Sequence, residues 1–201
     1  MATVITHALV AGAISVFSPQ KFTSHGSTFI KVPRLRLIFC LILLAVIPDL
    51  DSIGFRYGIP YSDVFGHRGF THSLLFSVVT AFCFGLIIFR SMGVGTKNWW
   101  YIVFLLSVAG ISHGILDAFT DAGLGVGFLI PMDNDRYFFP WRPLETSPVS
   151  ISAFFNGPAK KILLNEMLWV WLPVFMVTVL VVIFRVAVQR LADKRSADIV
   201  E

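Results

Sequence analysis

Five runs of apolar residues organise the chain, roughly Val4–Phe17, Leu37–Ile47, His72–Phe89, Trp99–Leu116 and Leu168–Val188. An α-helix rises about 1.5 Å per residue and the hydrocarbon core of a bilayer is about 30 Å thick. A full span therefore takes about 20 residues, and about 17 suffice. The third, fourth and fifth runs meet that length. The first two are short and read as tilted partial spans, re-entrant helices or spans in a locally thinned bilayer. Pro48 is expected to stop the second run, since it lacks the amide a helix needs. The stretch Thr120–Leu164, rich in Gly, Pro and aromatics, is expected to pack as an extracytoplasmic cap. The pattern predicts an all-α, polytopic membrane helix bundle. It shows no internal repeat or low-complexity tract, so residues 1–201 read as one membrane-embedded domain.

Composition sharpens this picture. The chain is 56% hydrophobic and 14% charged, with a mean hydropathy of +0.77. A soluble domain of this size has no interior large enough for that apolar fraction, so lipid must solvate much of it. The net charge of +4 raises nucleic acid as a partner, but in a membrane protein excess Lys and Arg marks cytoplasmic loops, and no nucleic acid is expected. Lys21, Lys31, Arg34, Arg36, Arg90, Lys97, Arg185, Arg190, Lys194 and Arg195 fall on one side of an alternating path. These are ten of the sixteen basic residues. The positive-inside rule then places the C-terminus in the cytoplasm and the N-terminus outside. Trp99 and Trp100 would mark one interface, Trp169 and Trp171 the other. Cys40 and Cys83 lie within apolar runs and read as packing residues. The N-terminal stretch has no basic n-region and is interrupted by His7, unlike a signal peptide.

The same path gathers the titratable side chains. His7 lies near the outer end of the first run, Asp49 and Asp51 at the end of the second, His67 and His72 at the start of the third, and His113 and Asp117 at the end of the fourth. His113 and Asp117 are four apart, so a helix stacks them on one face. His25 is left over, in the basic loop on the other side. Taken singly, each has an ordinary explanation: a loop carboxylate, a lone interfacial histidine, or helix caps at Thr71 and Ser73. Together they form a ligand set for zinc or a related divalent ion. Seven candidates exceed one tetrahedral site, which suggests two metals or one metal with supporting carboxylates.

The segments "PDLD", "FGHRGFTHS" and "SHGILDAFTDAGLGVGFLIP…RYFFPWRP" resemble the YdjM-like inner-membrane proteins, described as membrane-bound metal-dependent hydrolases. The resemblance runs from His7 to about Glu166. The pattern is also similar, more distantly, to the helical zinc-dependent phospholipase C and P1 nuclease group. That group uses an early histidine, an aspartate, a further histidine and an H-x-x-x-D pair, roles that His7, Asp49 or Asp51, His67 or His72, and His113 with Asp117 can fill. The resemblance implies metal-assisted hydrolysis in the inner membrane, with zinc as the ion and manganese the alternative. A metal lowers the pKa of its water towards about 7 and polarises a phosphoryl oxygen. In that scheme whichever of Asp49 and Asp51 is not a ligand takes the proton, and Arg68 and Arg142 neutralise the phosphate. For both arginines the plain alternative is snorkelling, or an ion pair with Asp135 or Glu145.

The expected substrate is a lipid phosphoester, because the outer ends of the short runs should sit at or below headgroup level. A divalent-cation transporter is the first alternative, although carriers place such groups near the midplane, often within repeated halves. A non-catalytic membrane protein with a structural metal is the second.

Overall fold

In a computed structural model of the chain, residues 1–19, 22–23, 29–30 and 32–198 are described. His25, Lys21 and Lys31 lie outside them. Helix α1, Val4–Ile14, starts where the Thr3 side chain accepts a bond from the Thr6 amide, and a 3-10 turn carries it to Phe17. In the basic loop Phe22–Thr23 (β1) pairs with Phe29–Ile30 (β2), a small antiparallel contact that the apolar pattern gave no reason to expect.

Helix α2, Arg34–Val46, follows Pro33. The expected stop at Pro48 is only half right. The α-helix ends there, but the chain continues without a break as a 3-10 helix, Ile47–Tyr57, until Gly58 turns it at φ 77°. Proline is tolerated because it occupies the first turn of the new helix, where its missing amide has no partner to lose. The second run therefore belongs to a continuous helical segment of 24 residues, Arg34–Tyr57, long enough to cross a membrane.

The third run is shorter than expected. Its first residues form a 3-10 turn, Phe70–His72, and Ser73 caps α3, Leu74–Ile88, by accepting from the Phe76 amide. Thr96 caps α4, Lys97–Ala118, in the same way. After an irregular cap (119–150) come α5, Ile151–Phe155, and α6, Ala159–Glu166. A π-helical turn, Met167–Trp171, joins α6 to α7, Leu172–Asp198. Among the described residues, three helical segments are long and apolar enough to cross a membrane: Arg34–Tyr57, Lys97–Ala118 and Ala159–Leu191. Val4–Phe17 and Leu74–Ile88 are shorter apolar helices.

Helix α4 is the centre of the bundle. It packs on α3, α2 and α1, with Ile102, Leu106 and Ala109 fully buried. Small residues let α3 and α4 approach closely, as expected where lipid supplies no hydrophobic drive between helices. Gly85 leaves room for Val103 and Trp99. Trp99 is thus buried, and its Nε1–H donates to the Gly85 carbonyl at 3.0 Å. It is a packing residue and not the interfacial anchor expected; Trp100 beside it is exposed. Cys40 is buried in the core, and Cys83 faces outward from α3.

Candidate metal centre

Four elements deliver the polar side chains to one end of the bundle. At about 120° per residue, the 3-10 geometry of 47–57 sends Asp49 and Asp51 in different directions. Asp49 faces α4 and the 70–72 turn, where its Oδ1 lies 3.4 Å from His113 Nε2 and 3.7 Å from His72 Nε2. Asp117, one turn along α4 from His113, places its Oδ2 3.6 Å from His72 Nε2 and 3.9 Å from His113 Nε2. The two imidazole Nε2 atoms are 2.9 Å apart. One ligand atom from each of Asp49, His72, His113 and Asp117 lies within 4.8 Å of the others, and all four residues are buried.

The outer nitrogens decide what faces inward. His113 Nδ1 is 2.7 Å from the Ala45 carbonyl, which can only accept, so Nδ1 carries the proton. His72 Nδ1 is 3.2 Å from Asp51 Oδ2, which likewise accepts. With their outer nitrogens engaged, both rings turn Nε2 towards the same point, where a divalent ion or a shared proton can lie between them. Orientation of a histidine ligand through its other nitrogen is the usual support for a bound metal. The spacings suit one. Atoms about 2.0–2.1 Å from a single ion are about 2.9 Å apart at a right angle and about 3.4 Å apart at the tetrahedral angle. Charge points the same way: three little-exposed carboxylates, Asp49, Asp51 and Asp117, face Arg68 and the Met1 amino group, so carboxylates outnumber these cations. Both Asp49 oxygens and both His7 ring nitrogens are buried without a hydrogen-bond partner. Buried polar groups rarely stay unpaired. The residues present fit a divalent ion.

The remaining candidates take different places. His7 is fully buried and stacks on the His113 ring at 3.9 Å, with its Nε2 3.6 Å from Asp117 Oδ1. It stands beside the four-atom set. Asp51 is fully engaged as a support: Oδ1 meets His67 Nδ1 at 2.7 Å, and Oδ2 accepts from the Thr71 hydroxyl at 2.7 Å and the Arg68 amide at 3.1 Å. His67 belongs to this second group with Asp51 and His72.

The two arginines differ from expectation. Arg68 is buried, with a left-handed backbone (φ 65°) that turns its side chain inward. Its guanidinium donates to Asp117 Oδ2 at 3.0 Å, the Ala122 carbonyl at 2.9 Å and the Thr120 hydroxyl at 2.8 Å. It holds Asp117 in place and is not open to a phosphate. Arg142 is exposed and lies over the Phe138 ring at 4.6 Å. It makes no contact with the cluster, and its expected ion-pair partner Glu145 is taken by Lys161 at 2.9 Å.

Other residues matter that the sequence reading passed over. Arg136 ties the cap to the 58–69 loop by donating to the carbonyls of His67 at 2.8 Å, Tyr61 at 3.0 Å and Asp63 at 2.9 Å. Burial pushes the phenol of Tyr61 up, so it stays neutral beside these cations. Of the two expected helix caps, Ser73 is one, whereas Thr71 serves Asp51 instead. Glu166, fully buried, accepts from the Thr3 amide and hydroxyl at 2.5 Å each and from the Thr6 hydroxyl at 2.7 Å. A lone carboxylate just before an apolar run was the available signal for it.

The sequence matches the YdjM inner membrane protein family over residues 1–191. It is 39% identical over 173 residues to the inner membrane protein YbcI of Escherichia coli (strain K12), covering 86% of this chain and 92% of that protein. No solved structure matches.

Proposed function

From the premise that this chain belongs to the YdjM inner membrane protein family, we propose that it is a metal-dependent hydrolase of a lipid phosphoester, with zinc, or alternatively manganese, held by Asp49, His72, His113 and Asp117. The observation that carries this reading is the pair of imidazole Nε2 atoms facing each other at 2.9 Å among buried carboxylates. A bound divalent ion would supply a water of lowered pKa and polarisation of a phosphoryl oxygen. The chain's own residues do the rest. His72 and His113 are fixed by Asp51 and the Ala45 carbonyl. Arg68 orients Asp117 and offsets part of its charge. Of the two aspartates considered as base, Asp51 has both oxygens occupied; Asp49 turns Oδ1 to the histidines, and its Oδ2, with no partner, would remain to accept a proton from water while Oδ1 holds the ion.

Depth supports a lipid substrate. His113 lies five residues before the end of α4, about 7.5 Å of helix rise. That short rise supports a cluster close to the interface, where the phosphate of a lipid would reach it more readily than a soluble polymer would. The test is turnover by purified, zinc- or manganese-loaded protein of phospholipids, isoprenoid phosphates and short nucleic acids. Lipid cleavage abolished by chelator and by His72→Ala supports the reading, and cleavage of nucleic acids alone overturns it.

One observation favours a second reading. All four ligand atoms belong to buried residues, as in a structural site whose coordination positions are filled by protein. Chelator that lowers stability, with no lipid turned over under any loading, would select a structural metal.

A further inference from the structure

Glu166, the last residue of α6, is fully buried. A carboxylate taken out of water is costly unless its lone pairs are engaged. Its partners all come from the start of α1. Oε1 accepts from the Thr3 amide at 2.5 Å, and Oε2 from the Thr3 hydroxyl at 2.5 Å and the Thr6 hydroxyl at 2.7 Å. Thr3 is the N-cap of α1, and its hydroxyl accepts in turn from the Thr6 amide at 3.3 Å. Donation to Glu166 therefore fixes which way the capping hydroxyl turns its lone pairs. The negative charge also stands at the positive end of the α1 dipole.

The segment held in this way reaches the His/Asp cluster. Ala2, beside Thr3 and fully buried, donates its amide to Asp117 Oδ1 at 2.8 Å. The His7 amide closes the first turn of α1 on the Thr3 carbonyl at 3.1 Å, and the His7 ring stacks on His113 at 3.9 Å. On its other side Asp117 takes the Arg68 Nε–H on Oδ2 at 3.0 Å. The carboxylate is thus held from both sides in one orientation. Oδ1 faces α1, and Oδ2 faces His72 and His113.

We propose that Glu166 is a positioning residue of the metal centre. By pinning Thr3 it sets the Ala2 amide on Asp117 Oδ1 and leaves a single Asp117 oxygen, Oδ2, for the ion. The inference rests on the metal reading of the cluster and not on the identity of a substrate. A plainer role, holding α7 against α1, belongs also to Arg185, whose guanidinium donates to the carbonyls of Phe17 at 2.8 Å and Ser18 at 3.1 Å. Those carbonyls lie past the far end of α1 from Thr3. Arg185 therefore separates the two roles.

The test is a cobalt(II) titration of the purified full chain in detergent, with thermal melts of the metal-free proteins alongside. The visible absorption of the bound cobalt reports the number and geometry of its ligands. Glu166→Ala should bind cobalt about tenfold or more weakly than wild type, the usual cost of losing an outer support, and with an altered spectrum. Glu166→Gln, which keeps the shape and one acceptor oxygen for the Thr3 amide, should recover part of both. Arg185→Ala should lower the melting temperature and leave cobalt affinity and spectrum as in wild type. Wild-type affinity and spectrum in the Glu166 variants overturn the proposal. So does an equal loss in Arg185→Ala, since a loosened α7 would then suffice. Where Glu166→Ala does not fold, Glu166→Gln decides alone: wild-type binding in it overturns the proposal, and weakened binding with an altered spectrum supports it. Cobalt left unbound by wild type overturns the metal reading and this inference with it, whereas equal binding in wild type and both Glu166 variants overturns this inference alone.

Discussion

Arg68 and Arg142 look alike in sequence, each a lone arginine beside aromatics on the expected outer side. The fold separates them. Arg68 donates to Asp117, Thr120 and the Ala122 carbonyl from a fully buried position, whereas Arg142 rests on the Phe138 ring in the open. Removing one partner of a buried ion pair costs about 3–5 kcal/mol, while exposed substitutions stay within about 0.5 kcal/mol. Arg68→Ala should therefore lower unfolding stability by about 3–5 kcal/mol, read by denaturation in detergent, and Arg142→Ala should be near neutral. Arg68→Lys should rescue little, because an ammonium cannot reproduce the planar fork. Equal stability of both alanine variants would contradict the positioning role of Arg68. The H-x-x-x-D spacing made the His113 and Asp117 pair legible in advance. The role of Arg68 was not, because it depends on groups about 50 residues away in the chain.

The 58–73 connection shows what the "GHRGFTHS" block encodes at the level of an element. A Cβ on Gly66 would meet the Pro60 carbonyl oxygen at 2.2 Å, and one on Gly69 would meet the Val64 oxygen at 2.2 Å. Both contacts are with backbone, which cannot rotate away, so these glycines let the loop fold tightly enough to aim His67, Arg68 and His72 inward. Gly66→Ala should destabilise by about 1–3 kcal/mol or more and loosen metal binding, whereas Gly12→Ala, with open space around it, should do neither. Thermal melts with metal content read in parallel would decide. At this scale the positions of the apolar segments were readable, but their ends were not. Pro48 marked the end of α2 correctly, yet the change to 3-10 geometry that separates Asp49 from Asp51 leaves no hydrophobic signature. The shortening of α3 likewise reflects a cap at Ser73 within an unbroken apolar run.

For the molecule as a whole, the four elements meet at a polar end of the bundle. With ten of sixteen basic residues on one side of the alternating path expected from the sequence, a reporter fused after Glu201 should read cytoplasmic and one inserted near Asn134 extracytoplasmic. Reports from the same compartment would contradict the alternating path. The His/Asp cluster is the chemically distinctive part of this architecture, and its occupancy by a divalent ion is the central claim. The most direct measurement is elemental analysis of the purified chain by mass spectrometry, after chelation and reloading, for wild type, His72→Ala, His113→Ala and Arg142→Ala. The arrangement of Asp49, His72, His113 and Asp117 predicts tightly held divalent metal in wild type and Arg142→Ala, and its loss in both histidine variants. Equal metal content in all four proteins, or none in wild type, would contradict it.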